Sequence, residues 1–153
     1  MGAENRPRRI VLVRHGESQG NVDDALYETV PDHVLSLTPR GVHQATESGE
    51  QLRAIIGEGS VRVYASPYTR TRQTLSALRL GVDPDEVRFE PRLREEDWAN
   101  FQDPADVAAQ RALRDAYGHF WYRFTHGESG SDVYDRVSTF LESMFRDFET
   151  PGA

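Results

Sequence analysis

A run of four apolar, mostly β-branched residues, followed at once by a polar turn, constrains the fold more than any other feature of the chain. The run is IVLV at residues 10–13, and the turn is RHGES at residues 14–18. Such a run predicts a strand that is buried on both faces of a parallel sheet. Because open α/β sheets bind ligands at the ends of such strands, the sequence predicts that His15 is presented to a ligand.

The composition predicts one folded domain over residues 1–153. Of these residues 37% are hydrophobic and 10% aromatic, which is enough for a core. The formal net charge of −7 argues against nucleic acid or an anionic membrane as a partner. The chain has no cysteine and no apolar stretch long enough for a signal peptide or a membrane span, so we expect a cytoplasmic location.

The remainder of the chain predicts an alternation of helices and strands. Residues 21–36 are interpreted as an ordered polar loop, after which Thr38 and Pro39 begin a helix that Gly57 ends. The order strand, helix, strand predicts a sheet that is at least partly parallel. The further predicted elements are strands at 61–65 and 87–90 and helices at 69–80, from Asp103 to about Tyr117, and from Ser131 or Asp132 onward.

Polar residues follow three of these predicted strands. Arg14 and His15 follow the first strand, Arg70 lies in the first turn of the helix after the second, and Glu95 follows the third. Ligands of open α/β sheets bind beyond the strand ends, so we expect these four side chains to share one site. A cation is disfavoured in a first helical turn, and a bound phosphate would explain the position of Arg70.

These motifs resemble those of the histidine phosphatase superfamily. They are RHG at residues 14–16, Asn21, SPxxR at residues 66–70 and Glu95, in that order. LSLTPRG at residues 35–41 and GES at 127–129 are similar to the phosphoglycerate mutase branch. The resemblance covers the chain from Arg9 to about Arg146. It implies a three-layer α/β/α fold of the phosphoglycerate mutase type with a mostly parallel sheet.

The resemblance also implies a phosphohistidine intermediate at His15. Arg14 and Arg70 would favour the neutral, nucleophilic imidazole and stabilise the transferring phosphoryl group, so we expect no metal and no cofactor. Gly16 leaves room for phosphate to approach the backbone. Asn21 can donate an amide hydrogen bond to a phosphoryl oxygen.

Five acidic and hydroxyl residues complete the predicted site and leave alternatives open. Glu95, if held protonated, can protonate the leaving alkoxide and later activate water; the adjacent Glu96 is the alternative acid. Ser18, Glu128 and Ser129 are candidates for the pocket wall. Capping of the last helix explains Glu128 and Ser129 at least as well.

Members of this superfamily have a second histidine beside the first, in a late strand that ends in His-Gly. His126 precedes a glycine, but residues 122–125 are not a buried apolar strand, so we do not expect His126 to take this role. We therefore expect a domain that is incomplete at its C-terminus and lacks the strand that pairs with the first.

The predicted function is a phosphomonoester phosphatase that acts on a small phosphorylated metabolite. A mutase-type phosphotransferase is the first alternative, but residues 23–34 offer only acids and His33 to hold a bisphosphorylated intermediate. The second is a catalytically weak protein that binds phosphate ligands or partners. An aromatic cluster is interpreted as core or as a subunit interface, compatible with a homodimer, rather than as a substrate lid. It comprises Phe120, Trp121, Tyr122 and Phe124.

Overall fold

Helices surround a small parallel sheet in the computed structural model, which describes residues 7–99 and 103–149. Short 3₁₀ turns connect several of the helices and strands. The α-helices and strands are α1 (Gln19–Val22), α2 (Pro39–Ile56), β1 (Tyr64–Ala65), α3 (Thr69–Leu78), β2 (Arg88–Phe89), α4 (Pro104–Tyr117) and α5 (Gly130–Glu149). The 3₁₀ turns are Asp24–Glu28, Asp32–Val34, Pro84–Glu86 and Pro91–Leu93.

Within the described residues the sheet consists of β1 and β2, which run parallel. Tyr64 lies opposite Arg88, and Ala65 lies opposite Phe89. Helix α3 connects the two strands, as a parallel pair requires. The strands predicted at 61–65 and 87–90 therefore contain the observed strands, although each observed strand is shorter.

The predicted first strand is wrong for this structure. Residues 10–13 form no strand with any described residue, and their side chains are not buried: Ile10 is 56% exposed and Leu12 is 93% exposed. These residues and residues 61–65 line an open cavity of about 2010 Å³. A strand buried on both faces needs hydrogen-bonding neighbours in the sheet, and no described segment provides one for residues 10–13.

Helix α2 begins and ends where the sequence predicts. The Thr38 hydroxyl accepts a hydrogen bond from the Gly41 N–H at 3.0 Å, and Pro39 occupies the first helical position. Gly57 follows the last turn with φ of 62°, a backbone conformation that favours glycine. These caps are local, which explains why the sequence alone is sufficient to predict them.

The inner face of α2 packs closely against α3. A Cβ atom at Gly49 would lie 2.1 Å from the carbonyl oxygen of Leu78, so the helices approach to backbone contact. Leu52 and Leu78 are buried at this contact. Val42, near the start of α2, is 44% exposed and lies outside this contact.

Helix α5 covers the sheet and completes the core. Phe140 and Met144 are buried, and the Phe140 ring meets the Tyr64 ring of β1 edge-on at 5.3 Å between centroids.

Helix α4 starts where Asp103 accepts a hydrogen bond from the Ala105 N–H at 2.7 Å. Among the described helices, none combines the length and the apolar character needed to cross a membrane.

Candidate active site

Five of the predicted site residues line one cavity. Arg14, His15, Arg70 and Glu95 all border the open cavity of about 2010 Å³ beside residues 10–13, and so does the alternative acid Glu96. Nη2 of Arg70 lies 4.0 Å from Oε2 of Glu95. The residues come from three distant segments of the chain, as the motif order predicts.

His15 has one ring nitrogen engaged with the backbone. Nδ1 lies 2.7 Å from the carbonyl oxygen of Gly16. Because a carbonyl oxygen can only accept a hydrogen bond, we assign the proton of the neutral ring to Nδ1. Nε2 then keeps its lone pair, which is the state required of a nucleophile.

The surroundings of His15 favour its neutral form. Burial of the imidazole is the largest cause that holds the pKa of His15 below its ordinary value of 6.5, and the charges of Arg70 and Arg14 act in the same direction. The Gly16 carbonyl and Glu95 oppose the shift. Burial and the two arginine charges therefore favour the neutral imidazole of His15, as the sequence predicts for Arg14 and Arg70.

Arg14→Met is expected to raise the pKa of His15, because removal of a nearby cation stabilises the imidazolium. As the pH is lowered, a reaction that needs neutral His15 would therefore lose activity at a higher pH in Arg14→Met than in the unsubstituted chain. NMR titration of the His15 imidazole measures the shift directly, and Arg8→Met provides an exposed arginine control. An unchanged or lower pKa of His15 in Arg14→Met would contradict the expectation.

Arg70 is buried and ion-paired with Asp32, an acid that no sequence motif marks as a site residue. The residue is 3% exposed. Its Nη1 donates to the backbone oxygen and to Oδ1 of Asp32 at 2.8 and 2.7 Å, and its Nη2 donates to Oδ2 at 3.2 Å. The Tyr68 ring lies 4.9 Å from the guanidinium carbon. Asp32 thus provides a negative charge beside Arg70, so a bound phosphate is not needed to explain a cation in the first turn of α3.

Gly16 lies beside the cavity-lining residues and packs against the start of α2. A Cβ atom at Gly16 would lie 2.2 Å from the carbonyl oxygen of Gly41. The Gly16 N–H donates to the Thr74 hydroxyl of α3 at 3.1 Å. This packing explains the need for glycine, whereas the approach of phosphate to Gly16 stays a prediction.

Ser18 and Asn21 bond to each other rather than line the cavity. Oδ1 of Asn21 accepts from the N–H of Ser18 at 2.9 Å and from its hydroxyl at 3.0 Å, and Ser18 is buried. This pair closes the first turn of α1. The cavity wall includes neither residue, so donation from Asn21 to phosphate and a pocket role for Ser18 stay predictions.

The structure separates the two adjacent acids after β2. Glu95 is 56% exposed on its side chain, and its carboxylate approaches Arg70. Glu96 instead accepts from Nε1 of Trp98 at 3.1 Å and lies 4.0 Å from Nη1 of Arg114. This geometry favours Glu95 over Glu96 as the acid that meets a substrate.

Glu128 fastens the segment that carries Glu95 to helix α5. Its carboxylate pairs with Arg94 and with Arg136, at 2.9 Å from Nη2 of Arg136, and accepts from the Asp97 N–H at 3.1 Å. Burial alone would raise the pKa of Glu128, but these hydrogen bonds and charges hold it below the ordinary value. Glu128 is not part of the cavity wall.

Ser129 caps α5, which is one of the two roles that the sequence leaves open for it, and a pocket role stays a prediction. Its hydroxyl and its N–H donate to Oδ2 of Asp132 at 2.6 and 2.7 Å. These bonds, together with one from Arg123, lower the pKa of Asp132 to about 2. Ser129 lies outside the cavity wall as well.

The aromatic segment divides between core and surface. Phe124 is 1% exposed and stacks on Trp98 at 4.7 Å between ring centroids. Phe120 and Trp121 remain exposed, and Trp121 retains 67% of its surface. Phe124 therefore belongs to the core, while a subunit interface or a lid at Phe120 and Trp121 stays a prediction.

Among the described residues, no histidine other than His15 borders the cavity, and no metal-binding cluster is found. His126 lies in an exposed turn with φ of 63° and does not border the cavity. No group of three or more histidine and acidic side chains among the described residues could hold a metal ion. Independence from metal stays a prediction.

Comparison with known families identifies the chain. The profile of the histidine phosphatase superfamily (branch 1) matches residues 10–151. The chain belongs to this superfamily. It is 46% identical over 160 residues to the phosphoglycerate mutase-like protein AT74 of Arabidopsis thaliana, which covers 97% of this chain and 51% of that protein. It is 30% identical over 235 residues to the broad-range acid phosphatase DET1 of Saccharomyces cerevisiae. This alignment covers 94% of this chain and 70% of that protein.

Solved structures confirm the fold class. The chain superposes on the mycobacterial glucosyl-3-phosphoglycerate phosphatase in complex with VO3 with a TM-score of 0.66 at 25% identity, covering 87% of this chain and 65% of that one. This likeness confirms the predicted α/β fold of the phosphoglycerate mutase type. The chain spans about half the length of the two Arabidopsis relatives that it matches, 51% and 55%.

Proposed function

We propose that this histidine phosphatase superfamily member hydrolyses small phosphomonoesters through a phosphohistidine at His15. One observation carries the proposal: His15, whose Nδ1 lies 2.7 Å from the Gly16 carbonyl oxygen, shares a cavity with two arginines and a carboxylate. The assigned tautomer leaves its Nε2 lone pair for attack on phosphorus. Nucleophile, positive charge and acid–base group are the components that phosphoryl transfer through a covalent intermediate requires.

In the first step the Nε2 lone pair of His15 attacks phosphorus, and the bond from phosphorus to the ester oxygen breaks. Protonated Glu95 transfers its proton to the leaving alkoxide, which departs as an alcohol. Arg14 and Arg70 stabilise the charge on the other phosphoryl oxygens. The products of this step are phosphohistidine and ionised Glu95.

In the second step water replaces the alcohol. Ionised Glu95 removes a proton from water as the water oxygen attacks phosphorus, and the bond between Nε2 and phosphorus breaks. Inorganic phosphate leaves, and both His15 and Glu95 return to their starting states. The 56% exposure of the Glu95 side chain gives water direct access to this carboxylate.

Two observations favour a phosphatase over a mutase. The loop that precedes α2 contributes an acid, Asp32, to the site arginine, and not a further cation that would hold a second phosphate group. The names of DET1 and of the mycobacterial structure are those of phosphatases. A mutase would have to retain the phosphorylated product beside His15 until transfer back.

The test is to incubate the purified 153-residue chain with p-nitrophenyl phosphate and a panel of sugar phosphates and phosphoglycerates. We expect release of inorganic phosphate and an acid-labile phosphoryl group on His15 after rapid quenching, located by mass spectrometry. Isomerised phosphoglycerate without phosphate release would support the mutase. Ligand binding without turnover would support a phosphate-binding protein, and the absence of both would refute the proposal.

A further inference from the structure

Asp32 accepts hydrogen bonds from one end of the Arg70 guanidinium. Its backbone oxygen and Oδ1 accept from Nη1, and its Oδ2 accepts from Nη2. These three hydrogen bonds use three of the five N–H donors that an arginine carries. The donors that remain are the Nε proton and the second proton of Nη2.

The two remaining donors lie on the same edge of the planar guanidinium. No described residue accepts a hydrogen bond from Nε of Arg70, and Oε2 of Glu95, at 4.0 Å from Nη2, is too far away for one. A buried arginine with unused donors is unfavourable unless water or a ligand accepts from them. Parallel N–H groups on one edge match two oxygens of a phosphoryl group, and Arg70 borders the same cavity as His15.

Neighbouring groups hold the pair in this orientation. The Asp32 carbonyl also accepts from the N–H of Leu35 at 3.3 Å, and the Leu35 side chain is buried in the core. On the other side, the Tyr68 ring lies 4.9 Å from the Arg70 guanidinium carbon. The position of Asp32 is therefore tied to the core, and the orientation of Arg70 follows from it.

We propose that Asp32 is a positioning residue for the phosphoryl-binding arginine. Asp32 binds the side of the Arg70 guanidinium that carries Nη1. The opposite edge, with the Nε proton and the second Nη2 proton, is then presented to a phosphoryl group at His15. Asp32 itself does not contact the substrate. The assignment rests on the proposed function and adds to it the residue that orients its anion-binding side chain.

The test is calorimetric titration of inorganic phosphate into the 153-residue chain and its variants. Asp32→Asn places the N–H₂ donors of an amide against the N–H donors of Arg70, so the hydrogen bonds that orient Arg70 are weakened. We expect the Kd of this variant for phosphate to be about 10- to 100-fold higher than that of the unsubstituted chain. Asp32→Glu keeps the carboxylate and is expected to restore part of the affinity. Asp24→Asn removes an exposed acid of the same loop, paired with Arg111 at 3.5 Å, and should leave the Kd within about twofold.

The dissociation constant separates positioning from a purely structural role. Partial misfolding would lower the number of binding sites per chain but would leave the Kd of the folded molecules unchanged. If Asp32→Asn bound phosphate as tightly as the unsubstituted chain, the assignment would be overturned. Tighter binding would overturn it too, since it would show that Asp32 competes with phosphate for Arg70. In both cases the proposed function would stand. A chain without substitutions that binds no phosphate would overturn both.

A measurement on the unsubstituted chain applies even if Asp32→Asn does not fold. The Nε–H of Arg70, a residue that is 3% exposed, is expected to give a nitrogen-15 NMR signal, identified by its loss in Arg70→Lys. Saturation with inorganic phosphate should shift this signal, because Nε is one of the two donors that Asp32 leaves for the ligand. A signal that does not move at saturation would overturn the assignment.

Discussion

His15→Gln is expected to reduce phosphate release by about 1000-fold or more, because glutamine cannot form the phosphorylated intermediate. The substituted amide can still donate a hydrogen bond to the Gly16 carbonyl, which His15 contacts at 2.7 Å, so the backbone of the turn should be preserved. Binding of inorganic phosphate should persist, since Arg14 and Arg70 are unchanged. Steady-state rates with p-nitrophenyl phosphate and a phosphate titration measure the two effects separately.

The matched control for this substitution is His43→Gln on the exposed face of α2. His43 interacts only at the surface with Glu47, at 3.4 Å, and we expect full activity in the variant. Retained turnover in His15→Gln, or a phosphoryl group trapped on another residue, would contradict the assignment of the nucleophile. Loss of both turnover and phosphate binding would indicate instead that His15 mainly holds the ligand.

Gly41→Ala is expected to destabilise the fold by about 3 kcal/mol, at the upper end of ordinary overpacking effects. A Cβ atom at Gly41 would lie 2.0 Å from the carbonyl oxygen of Glu17, so the turn that carries His15 would have to move away from α2. For a chain of this length the corresponding fall in Tm is about 6–12 °C. Thermal unfolding followed by circular dichroism provides the measurement.

Gly59→Ala is the control for the alanine substitution itself. A Cβ atom there would meet only the Ile56 carbonyl oxygen at 3.2 Å, a contact that an exposed turn can relax. We expect its free energy of unfolding to change by less than about 1 kcal/mol. Equal stability of Gly41→Ala and Gly59→Ala would show that the turn and α2 are not in the close contact described above.

Much of the local structure could be predicted because its causes are local. Thr38 and Pro39 start α2, and Asp103 starts α4, through hydrogen bonds and backbone preferences within one turn. Chain order also predicts that Arg70 and Glu95, which follow β1 and β2, border one cavity. His15 borders the same cavity without a strand before it, and the N–H of the adjacent Gly16 donates to the Thr74 hydroxyl of α3.

The prediction that failed concerns contacts between distant parts of the chain. The apolar run at residues 10–13 has the composition of a buried strand, but β propensity does not create the hydrogen-bonding neighbour that a central strand needs. A pocket role for Glu128 stays a prediction. No sequence pattern indicates the ion pairs that Glu128 forms with Arg94 and Arg136.

The sequence by itself determined the superfamily, the main helices and the kinds of side chain that are available for phosphoryl transfer. It could do so because motifs and helix caps depend on residue identity and short spacing. Only the tertiary structure decided which acid meets Arg70. Asp32 and Arg70 are 38 residues apart, in a loop and a helix with no common periodicity. Their pairing depends on how the loop before α2 packs over α3, which is a property of the folded chain rather than of either segment.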